Sequence, residues 1–174
     1  MEKAIYFLNQ KKFFYQPERF GIKQIARLIR PSGYYRQKAV RIKNFLKSLQ
    51  KDFQGKIELL LARPAKELRN YLLSLSGIGP ETADSIILYA ARKPALVIDA
   101  YTRRILKRVF GWKLAETADY EKWQKACCRY LNKSVAGYGE FHALMVRLAK
   151  EFCRKIPRCP ECFLRRMCKY AARQ

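Results

Sequence analysis

Four cysteines stand within sixteen residues near the C-terminal end of the chain, and any fold must give this cluster an environment that suits thiols. The pattern C-x5-C-x2-C-x5-C is formed by Cys153, Cys159, Cys162 and Cys168. Thiolates at this density favour a metal centre, either a [4Fe-4S] cluster or a structural zinc ion. Four-cysteine zinc sites usually consist of two separated C-x2-C pairs. Because this pattern has one such pair flanked by single cysteines, the spacing favours the [4Fe-4S] cluster.

The chain carries a large excess of positive charge. Its 37 Lys and Arg residues outnumber 14 Asp and Glu residues, which gives a formal net charge of +23. An excess of this size predicts binding to a polyanion, with nucleic acid as the leading candidate. No apolar run reaches the roughly 18 to 20 residues of a membrane span, and the start Met1-Glu2-Lys3 lacks the apolar region of a signal peptide. We therefore expect a cytoplasmic protein with reduced thiols and no membrane partner.

Apolar residues recur at the spacing of an α-helix along most of the chain, for example at Ile22, Ile25 and Ile29. Breaks rich in Gly and Pro divide this pattern into about eight helices of roughly 8 to 20 residues. The one strand-like run, residues 94–98, lacks a partner strand and is expected to be a buried connector. The sequence therefore predicts an all-α fold, with a helical core over residues 1–150 and a cysteine-rich cap over residues 151–174.

Residues 76–79, with the sequence Ser-Gly-Ile-Gly, separate two helical patterns within about residues 66–91. Gly77 and Gly79 let the backbone turn sharply, and Pro80 suits the first position of a helix. The free amides at the start of that second helix predict a phosphate site. Taken by itself, Gly-Ile-Gly also fits a simple tight turn.

Residues 75–83, followed by Val97-Ile98-Asp99, resemble the helix-hairpin-helix and the catalytic aspartate of the endonuclease III superfamily of DNA glycosylases. The resemblance covers roughly residues 3–170 and implies the helix-hairpin-helix glycosylase fold. It also implies double-stranded DNA with a damaged base as the partner, and Asp99 as the catalytic residue. In the family the hairpin contacts DNA, and the corresponding residues here are Gly77, Ile78, Gly79 and Thr82. By its position alone, Asp99 is a good helix N-cap.

Family members that also cut the DNA strand use a lysine of the second hairpin helix, which forms an imine with the sugar. Glu81 occupies the matching position, eighteen residues before Asp99. A carboxylate cannot form an imine, so we expect a monofunctional glycosylase without lyase activity. Taken alone, Glu81 is an acidic residue that complements a helix dipole. The 3-methyladenine DNA glycosylase III branch is similar in having this glutamate and in residues 30–39 and 83–90, which implies excision of an alkylated purine.

The cysteine pattern resembles the C-terminal [4Fe-4S] cluster of endonuclease III, although its first spacing is one residue shorter. This resemblance implies a structural cluster that shapes the loop between the first two cysteines. Three cations of this loop are expected to contact DNA phosphates: Arg154, Lys155 and Arg158. Arg104 and Arg108 also resemble family arginines, and they either steady the fold or contact the DNA backbone.

Two other functions stay open: a DNA-binding remnant of the same fold without catalysis, and a mismatch or oxidised-base glycosylase. The chain is expected to start after the N-terminal helices of the family, which would leave an open groove and an uncertain activity. We further expect a monomer associated with the nucleoid. His142, the single histidine, is expected to be packed and hydrogen-bonded in the core.

Overall fold

The structure, a computed structural model, describes residues 2–13, 15–114 and 119–173. These residues form nine α-helices joined by turns, and none of them lies in a strand. The helices are α1 (Glu2–Gln10), α2 (Ile22–Leu28), α3 (Tyr35–Phe53), α4 (Ile57–Ala62), α5 (Ala65–Ser74), α6 (Pro80–Ser85), α7 (Ala100–Phe110), α8 (Tyr120–Cys127) and α9 (Val135–Glu151). A π-helical turn, Ile86–Ala90, continues α6 directly. The all-α prediction is confirmed, although three helices have only six or seven residues.

The chain divides into two compact units, Met1–Ile78 and Gly79–Gln174. The division falls inside the predicted hairpin, between the turn and α6. The expected boundary near residue 150 concerns an appended cap and stays a prediction. Within the described residues, no helix is both long enough and apolar enough to cross a membrane.

One hydrophobic core of the first unit is built by α1, α2 and α3. Its buried residues are Ala4, Leu8, Phe13, Ile25, Ile29 and Ala39. Lys43 of α3 supports this core from its edge, because its Nζ donates hydrogen bonds of 2.9 Å to the carbonyls of Glu18 and Phe20. These bonds fix the segment that leads into α2.

The connector before α7 is buried without being part of a sheet. Leu96, Val97 and Ile98 are at most 1% exposed. The Tyr120 hydroxyl accepts a 3.2 Å hydrogen bond from the Ile98 amide and donates one of 3.2 Å to the Leu96 carbonyl. Gln124 Nε2 donates a second, 2.7 Å bond to the same carbonyl. Side chains of α8 thus satisfy polar groups that a strand partner would otherwise have to satisfy, which confirms the predicted buried connector.

The C-terminal segment packs on α7 and α9. The shared apolar cluster consists of Ile105, Val109, Leu148, Ala149 and Cys153. The amides of Lys169 and Tyr170 donate hydrogen bonds of 3.1 and 2.9 Å to the carbonyls of Val109 and Arg108. These carbonyls belong to the last turn of α7, where a helix has no internal donors left. Backbone amides of the C-terminal segment therefore satisfy carbonyls in the last turn of α7.

The two glycines of the hairpin give a matched test of the turn. Gly77 has a φ of +92°, and a Cβ there would lie 2.5 Å from Arg41 Cγ. Gly79 has a φ of −92°, and a Cβ there would meet no atom within 4 Å. We predict that Gly77→Ala lowers the free energy of unfolding by about 1–2 kcal/mol. Gly79→Ala should change it by less than about 0.5 kcal/mol. Urea unfolding at equilibrium measures both, and equal effects would contradict the assigned turn.

Candidate active site and cysteine cavity

Asp99 is the N-cap residue of α7, and its two carboxylate oxygens have different neighbours. Its Oδ1 accepts hydrogen bonds from the amide and the hydroxyl of Thr102, at 2.7 and 2.8 Å. This is the N-cap that the sequence predicts. Its Oδ2 takes no part in the cap and lies 3.6 Å from Nε2 of His142. The side chain is only 13% exposed, so Oδ2 belongs to a poorly hydrated site.

His142 of α9 joins this site to the π-helical turn. Its Nδ1 lies 2.6 Å from the Tyr89 hydroxyl, a hydrogen-bond distance, and its Nε2 faces Asp99. Sequence reasoning predicted a packed, hydrogen-bonded histidine but did not connect it to Asp99. Tyr89 and His142 are 53 residues apart, and no spacing motif signals their contact.

Asp99 and Glu81, two carboxylates of the second unit, have pKa values shifted in opposite directions. Burial raises the pKa of Asp99, but His142 and the two hydrogen bonds from Thr102 outweigh it and lower the pKa below its usual value. Burial, followed by the charge of Asp99, raises the pKa of Glu81, against the effects of Arg103 and His142. The Glu81 side chain is nevertheless exposed, so water screens part of its shift. The surroundings of Asp99 therefore favour its charged form, whereas those of Glu81 disfavour it.

Such an arrangement suits one chemical task. A fixed, ionised carboxylate with one free oxygen can stabilise positive charge that develops on a nearby sugar. Because the site is poorly hydrated, the attraction between the carboxylate and this positive charge is stronger than in water. Glu81, the neighbouring carboxylate, has no amine with which to attack the sugar.

The hairpin residues lie where the chain passes from one unit to the other. The Ile78 amide donates a 3.1 Å hydrogen bond to Leu75, which closes the turn after α5. The Ala83 amide donates a 2.9 Å bond to Gly79, which begins α6. Ile78 is half-buried and Thr82 is exposed. Their contact with DNA stays a prediction.

All four cysteines of the C-terminal pattern line one small cavity, which Arg108 of α7 also borders. Burial raises the pKa of the Cys159 thiol, the thiols of Cys168, Cys153 and Cys162 raise it further, and Arg108 lowers it. The four sulfurs are therefore close enough to interact electrostatically. Thiolates that repel one another around a shared cavity suit a cationic metal centre.

Kinds of metal centre differ in how closely their ligands converge. Among the described residues, no three His, Cys, Asp or Glu side chains converge as ligands of one metal ion. A tetrahedral zinc site needs that convergence. In a [4Fe-4S] cubane each cysteine binds a different iron, so its ligands stand farther apart. The kind of metal centre, a cluster or a zinc ion, therefore stays a prediction.

Two arginines of α7 hold the loop that leaves the first cysteine. Arg104 Nε donates a 3.0 Å hydrogen bond to the carbonyl of Cys153. Arg108 donates bonds of 2.6 and 3.1 Å to the carbonyls of Arg154 and Lys155. Both arginines therefore steady the fold, which is one of the two roles that sequence reasoning left open.

The cations of this loop lie on the surface. Arg154, Lys155 and Arg158 are all exposed. Arg154 Nε donates a 2.7 Å hydrogen bond to the carbonyl of Lys150, and Arg158 lies 3.9 Å from Glu161. An exposed ion pair at this distance contributes little free energy, so Arg158 stays available to another anion.

We predict that substitutions of Asp99 separate its cap from its charge. Asp99→Ala removes the acceptor and should lower the free energy of unfolding by about 1 kcal/mol, whereas Asp99→Asn keeps an acceptor oxygen. The folded-state pKa of Asp99 lies below the roughly 3.9 of an unfolded aspartate. The charge therefore stabilises the fold above about pH 4, and this contribution is lost as the pH falls through the folded-state pKa.

Urea unfolding of the wild type and Asp99→Asn at neutral and acidic pH measures this contribution. Glu81→Gln serves as a control of opposite sign, because a raised pKa means that the ionised Glu81 destabilises the fold at neutral pH. Glu81→Gln should therefore stabilise the chain at neutral pH and lose this advantage in acid. The same pH trend for both variants would contradict the assigned site.

Comparison with known proteins identifies the family. Residues 18–133 match the family model described as HhH-GPD superfamily base excision DNA repair protein. A provisionally named DNA repair glycosylase of Methanocaldococcus jannaschii is 38% identical over 148 residues, covering 83% of this chain and 66% of that protein. Endonuclease III of Thermotoga maritima is 32% identical over 148 residues, covering 84% of this chain and 63% of that protein. The chain thus spans just under two thirds of the length of these curated relatives.

A solved structure supports the same conclusion. The H. pylori 3-methyladenine DNA glycosylase bound to 1,N6-ethenoadenine superposes with a TM-score of 0.69 and 28% identity, covering 86% of this chain and 76% of that one. The match confirms the helix-hairpin-helix fold that the hairpin and Asp99 predicted. The chain belongs to the HhH-GPD superfamily of base excision DNA repair proteins.

Proposed function

We propose that this chain is a monofunctional DNA glycosylase of base excision repair, which hydrolyses the N-glycosidic bond of a damaged base in double-stranded DNA. The observation that carries the proposal is the environment of Asp99. Its carboxylate is held ionised at the start of α7, one oxygen is fixed by Thr102, and the other lies outside the cap in a poorly hydrated site, 3.6 Å from Nε2 of His142. Membership of a family of base excision DNA repair proteins supports DNA as the substrate on which this carboxylate acts.

Asp99 acts on the sugar. Cleavage of an N-glycosidic bond passes through a transition state with positive charge on the sugar ring. Oδ2 of Asp99 stabilises that charge and orients a water molecule towards C1′, while Oδ1 stays in the cap. The damaged base must first leave the stack, as it does in glycosylases in general.

Glu81 makes the reaction a hydrolysis. Strand cleavage by a glycosylase requires an amine that forms an imine with the sugar. The residue at this position is a carboxylate, which cannot form one. The product is therefore a free base and an intact strand with an abasic site.

An alkylated purine is the substrate that fits best. A cationic alkylated purine such as 3-methyladenine leaves readily, so the site needs no strong general acid for it. Glu81, His142 and Tyr89 are acid–base groups that interact with Asp99. The solved relative that acts on 3-methyladenine, with ethenoadenine bound, supports a modified purine.

Double-stranded DNA is bound by its attraction to the positive charge of the chain and by contacts with two segments, the hairpin and the loop between Cys153 and Cys159. The net charge of +23 supplies the attraction. The proposed contacts are Gly77, Ile78, Gly79 and Thr82 of the hairpin and Arg154, Lys155 and Arg158 of the cysteine loop. Arg108 supports the loop, because it holds two of its carbonyls in place. A monomer suffices for these contacts.

The cysteine cavity holds a [4Fe-4S] cluster in this proposal. Cys153, Cys159, Cys162 and Cys168 are its ligands, one for each iron. The cluster supplies a structural cross-link and no step of the hydrolysis. Its binding fixes the loop between Cys153 and Cys159, whose backbone Arg108 already orients.

We predict excision of an alkylated purine from duplex DNA by the wild-type chain under single-turnover conditions. Asp99→Asn should lower the rate by at least about 10²-fold, because it removes the stabilising charge. DNA affinity should be kept. Duplexes with 3-methyladenine, ethenoadenine, hypoxanthine, oxidised pyrimidines or mismatches, followed by separate assays of free base and strand cleavage, measure substrate and lyase activity together.

The outcomes of this assay separate the alternatives. Binding without excision of any base would support a DNA-binding remnant and overturn the proposal. Excision of an oxidised or mismatched base would correct the substrate. Strand cleavage, or covalent trapping with borohydride, would overturn the monofunctional assignment.

We predict that the protein purified without oxygen contains about four irons per chain and no stoichiometric zinc. Cys159→Ser removes one cavity thiol and should lower the iron content and the thermal stability. Cys128→Ser is the matched control, because Cys128 lies outside the cavity and contacts the Tyr138 hydroxyl at 3.5 Å. Metal analysis and iron–sulfur absorption check this result, and full iron content in Cys159→Ser would contradict the ligand set.

A further inference from the structure

The hydrolysis uses Asp99 but leaves His142 and Tyr89 without a task. These residues come from separate elements, α9 and the π-helical turn, and meet Asp99 of α7 in one row. The Tyr89 hydroxyl lies 2.6 Å from Nδ1 of His142, and Nε2 of His142 lies 3.6 Å from Oδ2 of Asp99. Oδ2 is the oxygen that the N-cap leaves free.

The row has a preferred arrangement of protons. A neutral histidine carries one N–H, either at Nδ1 or at Nε2. If the proton were on Nδ1, the lone pair of Nε2 would face the negative charge of Asp99. With the Tyr89 hydroxyl donating to Nδ1, the proton lies on Nε2 and points towards Oδ2. Electrostatics therefore favours the Nε2–H form.

The low hydration of the pair strengthens this preference. The side chains of His142 and Asp99 are 15% and 13% exposed. The charge of the Asp99 carboxylate and the N–H dipole of His142 therefore interact more strongly than they would in bulk water. The lowered pKa of Asp99, to which His142 contributes, agrees with a donor directed at its carboxylate.

We infer that His142 is a positioning residue: Tyr89 holds it as the Nε2–H tautomer, and that N–H holds the free oxygen of Asp99 in its reactive orientation. The effect on excision rests on the proposed function, whereas the tautomer does not. The charged groups around the pair include Glu81 of α6 and Arg103 of α7. His142 itself touches neither base nor sugar.

The tautomer is measurable without any activity, because His142 is the single histidine of the chain. Imidazole 15N shifts at about pH 8, where a histidine side chain is usually neutral, report the two forms directly. We expect almost pure Nε2–H in the wild type. Tyr89→Phe should shift the ratio towards that of an unconstrained imidazole, while Tyr130→Phe, which removes a hydroxyl from an exposed tyrosine, should leave it unchanged.

A pair of isosteric variants tests the donor in catalysis. The side-chain amide nitrogen introduced by His142→Gln reaches the place of Nε2, whereas the shorter amide introduced by His142→Asn reaches only the place of Nδ1. His142→Gln should keep most of the single-turnover rate, and His142→Asn should lose about tenfold, because its amide no longer faces the Asp99 carboxylate in the poorly hydrated site. DNA affinity should be the same for both.

Each outcome bears on one conclusion. Nδ1–H in the wild type, or a ratio that Tyr89→Phe does not change, would overturn the tautomer assignment whether or not the protein is active. Equal rates for His142→Gln and His142→Asn, with Asp99→Asn inactive, would overturn the positioning role and leave the proposed function intact. A wild type without excision would overturn the proposed function, and the tautomer would still be decided by NMR.

Discussion

The hydrogen bonds from Thr102 to Oδ1 of Asp99 are the interaction on which the candidate site depends. They begin α7 and fix the carboxylate in one orientation, which leaves Oδ2 for chemistry. Their position depends in turn on the buried connector before Asp99. Tyr120 and Gln124 of α8 satisfy its polar groups and so hold it in place. The N-cap of α7 and the buried hydrogen bonds of the connector thus fix the position of one charged oxygen, Oδ2 of Asp99.

In the proposed function, the two neighbouring carboxylates of Asp99 and Glu81 favour hydrolysis without strand cleavage. A lysine at position 81 would be both a nucleophile and a counter-charge for Asp99. Glutamate removes the nucleophile and adds a like charge, and part of the rise in the Glu81 pKa comes from Asp99. The site therefore needs another donor for Asp99, and His142 lies where that donor is required.

The sequence predicted the features that depend on neighbouring residues. The hairpin glycines, the N-cap at Asp99 and the helical class each follow from local spacing and backbone preference. It did not predict that Arg108 would hold the cysteine loop or that His142 would face Asp99, because these contacts join residues more than forty positions apart. The cysteine pattern indicated a shared centre, but only the folded chain places all four thiols around one cavity.

Binding of a charged sugar analogue is the sharpest test of whether Asp99 stabilises positive charge on the sugar. The measurement compares the affinity of the chain for two duplexes, one with a cationic pyrrolidine in place of the damaged nucleotide and one with the uncharged tetrahydrofuran. Transition-state analogues bind at least about a hundredfold more tightly than ground-state ligands. If Asp99 has this role, we expect a preference of this order for pyrrolidine in the wild type and its loss in Asp99→Asn. Equal affinity of the wild type for both duplexes would contradict it.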